Sequence, residues 1–179
     1  MKTVEKLLEK AISKIPKEKV GLLFSGGVDS LALAFYLKKL NYDFTCYTVG
    51  IKGSKDIKAA KKLASELKLK HEVRIIPKKE IPSYLAKVVP ILRNTSPVDV
   101  SVGLTTYLAS LLAKEKIVIS GLGADEIFGG YSRHKDSKDL NSDLKKGLDR
   151  VYNGDLKRDV TIANSLDKEI FAPFLDKSL

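Results

Sequence analysis

An α/β fold, a doubly wound parallel sheet with helices on both faces and a helical C-terminal part, is what this 179-residue sequence predicts. Three observations point to it. Short β-prone runs and amphipathic stretches alternate between residues 19 and 76, the pattern of successive βαβ units. A further helical stretch leads to another β-prone run, Ile117 to Ser120. Two of the runs end in a glycine turn followed by an acidic residue opening a helix, at Asp29 and at Asp125.

Each element has its own reason. Val4, Leu7, Leu8, Ala11, Ile12 and Ile15 recur at helical spacing, so residues 2–15 predict an amphipathic helix that Pro16 ends. Val20, Leu22, Leu23 and Phe24 make a strand over 19–24, and Leu31, Leu33, Ala34 and Leu37 a helical face over 29–40. Strand 43–49, helix 54–69 and strand 71–76 follow. Pro77 and Pro82 bracket a linker into a short helix near Ser83 to Val89. Ser96-Pro97 supplies an N-cap and an N1 proline for a helix to about Lys114, and strand 117–120 comes next. The remainder reads as helical, punctuated by Gly147 and Gly154, and no internal repeat is present.

The loop from Ser25 to Ser30 carries the first chemistry. A helix N-terminus presents unpaired N–H groups and a partial positive charge, which suits an anion. Gly26 and Gly27 let the backbone come close to such a ligand, and Ser25 and Ser30 add hydroxyls. No lysine lies in this loop, so it is not a P-loop of the G-x-x-x-x-G-K-[ST] kind. A carboxylate at Asp29 repels phosphate unless Mg²⁺ bridges the two. On these residues alone, a plain strand-to-helix turn with a first-turn carboxylate is an equal reading.

The string Ser25-Gly26-Gly27-Val28-Asp29-Ser30 resembles the S-G-G-x-D-S pyrophosphate loop of the N-type ATP pyrophosphatases, enzymes that split ATP between its α and β phosphates. The run from Ser120 through Gly121, Asp125 and Glu126 to Tyr131 is similar to the S-G-x-G-[SA]-D-E-x-F-G-G-Y signature of the synthetase domain of asparagine synthetases. Val49-Gly50 with Gly53-Ser54, the pair Arg158-Asp159, and Glu169 with Pro173-Phe174-Leu175-Asp176 extend the likeness along the chain. In its Ala-Asp-Glu wording and Tyr131-Ser132-Arg133-His134 it is nearest to the asparagine synthetase domain-containing proteins.

The resemblance implies one ATP pyrophosphatase domain over residues 1–179, of the adenine nucleotide alpha hydrolase type. It implies an AMP-forming ligase that adenylates a carboxylate and forms an amide with ammonia or an amine. ATP and Mg²⁺ are the implied cofactors, with Asp29 and Asp125 on the metal and Ser25, Gly26, Gly27 and Ser30 on the phosphates. Phe24, Val49, Gly50 and Gly121 are implied at the adenosine side, Ser120 beside the nucleotide, and Glu126 and Glu169 in proton handling. A tRNA-modifying ATP pyrophosphatase and a non-catalytic ATP-binding subunit are the alternatives.

The chain also departs from the pattern. Leu122 stands where asparagine synthetases have a glutamate and β-lactam synthetases a tyrosine, and leucine neither takes a proton nor accepts a hydrogen bond. Ser101 or a neighbour occupies the place of an arginine for the substrate aspartate, and Phe171 that of the arginine in E-x-R-x-P-F-L-D. Aspartate specificity is therefore not part of what the resemblance implies. Relatives carry a phosphate-neutralising lysine beyond P-F-L-D. The expectation is that this chain is truncated at Leu179, that a partner or another lysine supplies the charge, or that it binds nucleotide without efficient turnover.

Composition fits one domain with one core: 44% of residues are hydrophobic. A lone Cys46 excludes a disulfide framework and a cysteine-ligated zinc, and reads as a core thiol. Met1 leaves no N-terminal cysteine nucleophile for splitting glutamine, so nitrogen is expected as ammonia, as an amine, or from a separate glutaminase or other subunit. No apolar run approaches the roughly 18 residues of a membrane span, and the expected location is the cytoplasm. The net charge of +10 rests on 27 scattered lysines and five arginines without aromatic-basic alternation, which disfavours a nucleic-acid groove. A homodimer remains an open expectation.

Overall fold

The computed structural model describes residues 2–93 and 95–179; Met1, with the expectation attached to it, and Asn94 lie outside the described residues. Five parallel strands form a single sheet in the order β3-β2-β1-β4-β5. They are β1 (Val20–Leu23), β2 (Phe44–Gly50), β3 (His71–Ile75), β4 (Ile117–Ile119) and β5 (Glu169–Phe171). Val20 is in register with Phe44 on one side and Ile117 on the other, so β1 is the centre of the sheet. Val20, Leu22, Cys46, Val118 and Ile119 are essentially inaccessible, as expected for strands covered on both faces.

One face is covered by α1 (Lys2–Ser13), α2 (Val28–Lys39) and α3 (Lys55–Glu66). Leu33, Ala34 and Leu37 of α2 and Leu8 and Ile12 of α1 pack with Leu22, Phe24 and Ile119 in one core cluster. Full burial of each such aliphatic side chain contributes about 1.5–3 kcal/mol. On α3 the buried positions are Ile57, Ala60 and Ala64, the two alanines being small enough to let neighbouring backbone come close. The other face carries α4 (Ile81–Leu92), α5 (Pro97–Leu112) and α8 (Leu156–Ser165), whose Val88, Tyr107, Leu108 and Ile162 form a second cluster.

The chain leaves β3 at one edge, crosses through α4 and α5, and returns beside β1 as β4. The strand order therefore reverses between β1 and β4. Loops leaving these two carboxyl ends bound the crevice where open α/β sheets bind ligands. Three later elements complete the chain: the short α6 (Ala124–Phe128), α7 (Leu140–Arg150), and a π-helical stretch Val151–Asp155 joining α7 to α8 without a break in helical backbone.

Three expectations need correction. The C-terminal part is largely helical, but it also contains β5, paired Ile117↔Glu169 to Ile119↔Phe171; three residues are too short to leave a periodic signature. Gly147 and Gly154 do not punctuate the helix. Gly147 gives room to Glu126, whose Cγ would lie 3.1 Å from an added Cβ, and Gly154 lies inside the π stretch. The segment between Pro77 and Pro82 is a 3₁₀ turn (Lys78–Glu80) running into α4, because Pro82 sits in the first helical turn, where no N–H is needed.

Candidate functional site

The β1–α2 turn is built to hold its backbone open. Gly26 has φ +78°, and a Cβ there would fall 2.5 Å from the backbone nitrogen of Ala60, so the turn rests directly on α3. Gly27 caps α2 without any side-chain cap bond, leaving the first-turn N–H groups to a ligand or water. The two serines order the loop. Gly27 N–H donates to Ser25 Oγ (3.2 Å), and Ser30 Oγ donates to the Gly27 carbonyl (3.0 Å).

The β4–α6 turn faces it. Gly121 lies close against α2: an added Cβ would stand 3.2 Å from Asp29 Cβ. Leu122 N–H donates to Ser120 Oγ (3.2 Å), which closes the turn. Asp125 and Glu126 then open α6. Burial, followed by repulsion from Asp125 and then Glu126, raises Asp29 above the ordinary carboxylate range, so the three acidic groups share one electrostatic site. Glu126 is 6% exposed and accepts a hydrogen bond from Tyr131 Oη (2.8 Å).

Between the turns lies a cleft of about 310 Å³. Of the sequence-predicted residues, Phe24, Ser25, Asp29, Ser30, Val49, Ser120 and Gly121 line it. Gly26, Gly27 and Gly50 shape the loops behind it, Gly50 packing on Ile57. Asp125 and Glu126 do not line the cleft themselves but act on Asp29 electrostatically. Glu169 is not brought there: it opens β5 in register with Ile117, at the amino ends of the strands, and is solvent-exposed.

Several lining residues were absent from the sequence-based set. Thr48 donates from Oγ1 to the Phe24 carbonyl and meets His71 Nε2 at 2.8 Å, tying three strands together at the cleft floor. Burial, then Lys61, lowers His71, which keeps the ring neutral there. Val102, Thr105, Thr106 and Ala109 come from α5, and Arg158 and Asp159 from α8. Arg158 Nε donates to Asp159 Oδ1 (2.9 Å) and Nη1 to Asp155 Oδ1 (2.5 Å), while Thr106 Oγ1 donates to Asp159 Oδ1 (3.3 Å). Burial pushes Asp159 up, with the guanidinium and the Thr106 hydroxyl opposing. A signal existed: Arg158 and Asp159 fall on the same helical stripe as Ile162 and Ala163, where solvated charges do not belong.

The acidic pair suits a hard cation. Mg²⁺ takes one or two protein carboxylates and fills its shell from water and phosphate oxygens. Among the described residues no group of three or more His, Cys, Asp or Glu is arranged to hold a metal ion alone. Asp29 and Asp125, mutually repulsive and beside a helix N-terminus, fit the two-carboxylate mode. Cys46 takes no part, because burial in β2 pushes its thiol up to about 12.

The profile of the family described as Asparagine synthase matches residues 3–179. The chain belongs to the asparagine synthase family. This asparagine synthase domain is 38% identical over 173 residues to a Methanocaldococcus jannaschii protein provisionally named glutamine-hydrolyzing asparagine synthetase 1, covering 90% of this chain and 31% of that protein. It is 30% identical over 193 residues to the glutamine-hydrolyzing asparagine synthetase of Zea mays, covering 98% of this chain and 33% of that one. The chain thus spans about a third of the length of these relatives. Among solved structures, NMN synthetase from Francisella tularensis has a TM-score of 0.50 at 18% identity, covering 99% of this chain and 90% of that chain. The NH₃-dependent NAD synthetase of Campylobacter jejuni also scores 0.50, at 22% identity over 73% of this chain and 60% of that one. The asparagine synthase domain therefore shares their parallel-sheet fold, and no helix among its described residues is long and apolar enough to cross a membrane.

Proposed function

We propose that this domain is an ATP-dependent, AMP-forming ligase that adenylates a carboxylate and passes the acyl group to ammonia or an amine. What carries the reading is the approach of the β4–α6 turn to Asp29, an added Gly121 Cβ standing 3.2 Å from Asp29 Cβ, beside the uncapped N-terminus of α2 and at the reversal of strand order, with Asp125 acting on Asp29 electrostatically. A lone acidic residue at a helix start is common; two, from loops far apart in the chain, make a cation-assisted anion site.

A carboxylate oxygen of the acid attacks the α-phosphorus of ATP, the bond to the α–β bridging oxygen breaks, and pyrophosphate leaves. The amine nitrogen then attacks the acyl carbon, AMP departs, and the nitrogen gives up a proton. The N–H groups opening α2 and the Ser25 and Ser30 hydroxyls bind the leaving pyrophosphate. Phe24, Val49, Gly50, Ser120 and Gly121 form the nucleoside side. Asp29 and Asp125 would hold Mg²⁺, which supplies charge neutralisation at the departing phosphates. Glu126, held by Tyr131 and felt electrostatically at Asp29, is the carboxylate assigned to accept the proton. Nitrogen reaches the site as ammonia, as an amine, or from a separate glutaminase.

Production of AMP and pyrophosphate from ATP with an acid and ammonia, lost in Asp29→Ala, is the expected result; ADP as the product rules the reading out. Leu122 on the cleft wall favours a second reading, nucleotide binding without turnover. Unimpaired ATP binding with no pyrophosphate release across a panel of acids would select it.

A further inference from the structure

At the ends of β1, β2 and β3, three residues form one directed hydrogen-bond chain. Thr48 of β2 is 3% exposed, and its Oγ1 donates to the Phe24 carbonyl. A hydroxyl has one proton to give. With that proton committed to Phe24, the 2.8 Å contact between Thr48 Oγ1 and His71 Nε2 leaves the oxygen to accept, so Nε2 carries the hydrogen and Nδ1 of the neutral ring carries the lone pair. The same imidazole stands edge-on to the Phe24 ring, with centroids 5.8 Å apart at an interplanar angle of 82°. His71 therefore reaches Phe24 twice, at its carbonyl through Thr48 and at its ring directly.

His71 does not line the cleft, whereas Phe24, Ser25 and Thr48 do. What it governs is a peptide plane. The Phe24 carbonyl and the Ser25 N–H belong to one planar unit, so a carbonyl held toward β2 holds the Ser25 N–H in the opposite direction and sets how the loop leaves β1. The Phe24 N–H is fixed as well, donating to the Tyr47 carbonyl (2.9 Å), so the strand end is tied on both sides before the loop begins. The other side of the imidazole borders a cavity lined by Lys61, Ser65 and Lys68; burial, followed by Lys61, holds the ring below its ordinary pKa, so the neutral form persists at neutral pH. Resting on the ATP site of the reading above, we infer that His71 is a positioning residue for the nucleotide: as an Nε2–H donor it fixes, through Thr48, the Phe24–Ser25 peptide that starts the phosphate-binding loop.

The test uses the full chain and two substitutions that separate the ring from the donor. His71→Phe keeps the edge contact with Phe24 and removes the donor, while His71→Gln keeps an N–H near the place of Nε2 and removes the ring. Calorimetric affinity for magnesium with an ATP analogue whose α–β bridge is a methylene is expected to fall about three- to tenfold in His71→Phe, the range one hydrogen bond supplies, and by less than about twofold in His71→Gln. A side chain that only fills space gives the opposite order, and that order overturns the inference, as does wild-type affinity in His71→Phe. The tautomer is read independently of any nucleotide. At mildly alkaline pH, long-range ¹H–¹⁵N spectra of the wild-type chain are expected to show His71 protonated at Nε2 alone, its signals told from those of His134, the one other histidine, by their loss in His71→Gln. A proton on Nδ1 overturns the inference by itself, and a wild-type chain that binds no analogue overturns both it and the ligase reading. The ligase reading fails alone when no AMP forms with any acid, and the binding order then still decides the role of His71.

Discussion

Two constraints coincide at Gly26. Its φ of +78° is costly for any residue with a Cβ, and that Cβ would lie 2.5 Å from Ala60 N and 2.9 Å from the Ala59 carbonyl carbon. Both obstacles are helix backbone, which cannot swing aside, so the loop must lift from α3. Gly26→Ala is expected to keep its far-UV circular dichroism, to lose about 1–2 kcal/mol in urea unfolding, and to lose about 100-fold in pyrophosphate release because the phosphate-binding N–H groups are displaced. Arg158 is the opposite case, a residue whose cost comes from what it leaves behind. Arg158→Met strands Asp159 and Asp155 without their countercharge, and removing one partner of a buried pair costs about 3–5 kcal/mol. Asp159→Asn in the same chain is expected to return part of that loss, and a double-mutant cycle on unfolding free energies measures the coupling.

Helix α5 packs against both α4 and α8, and at Gly103 both neighbours come close. A Cβ there would stand 2.8 Å from Leu92 of α4 and 3.0 Å from Ile162 of α8. Gly103→Val is expected to destabilise by about 1–3 kcal/mol through overpacking. It is also expected to weaken ATP binding, measured by calorimetry, because Thr106 lies one turn further along α5 on the cleft wall. The strands and helices that build the crevice were legible because each shows a clear pattern: Leu33, Ala34 and Leu37 on α2, and the apolar runs of β1 and β4, each followed by a glycine turn. Ser96 was legible as a cap because its Oγ does accept from Asp99 N–H. The three residues of β5 were not, since Glu169-Ile170-Phe171 has no period to read and becomes a strand only through pairing with β4. Arg158 and Asp159 were visible as a resemblance but not as part of the site. Their role depends on the packing of α8 against α5, which local pattern does not encode.

At the scale of the molecule, stability and function pull in opposite directions on two carboxylates, and pH separates them. Asp176, in the turn after the Pro173–Leu175 3₁₀ segment, accepts from Lys14 Nζ at 2.5 Å and so anchors α1 to the C-terminal segment. The Lys14 and Ser178 hydrogen bonds hold its carboxyl down to about 2, below the usual 3.8. This tie is complete above pH 3.8 and is lost as pH falls through about 2. Lys14→Met is expected to remove that acid step from a Tm-against-pH profile while leaving pyrophosphate release unchanged. Asp29 has the reverse sign. Its carboxyl is raised by burial and by Asp125 and Glu126, so the folded state holds its proton longer than the unfolded chain, and stability declines as pH rises above the ordinary 3.8. Asp29→Asn is therefore expected to raise the Tm of the ligand-free protein at pH 7 while abolishing turnover. Magnesium and ATP together reverse the order: bound only by the folded protein, at 100 times their dissociation constant they add about 2.7 kcal/mol to the wild type and far less to the variant. The crossing of the two melting curves on adding magnesium and ATP, with no crossing for Lys14→Met, would mark Asp29 as a carboxylate kept at the expense of the fold for the cation it binds.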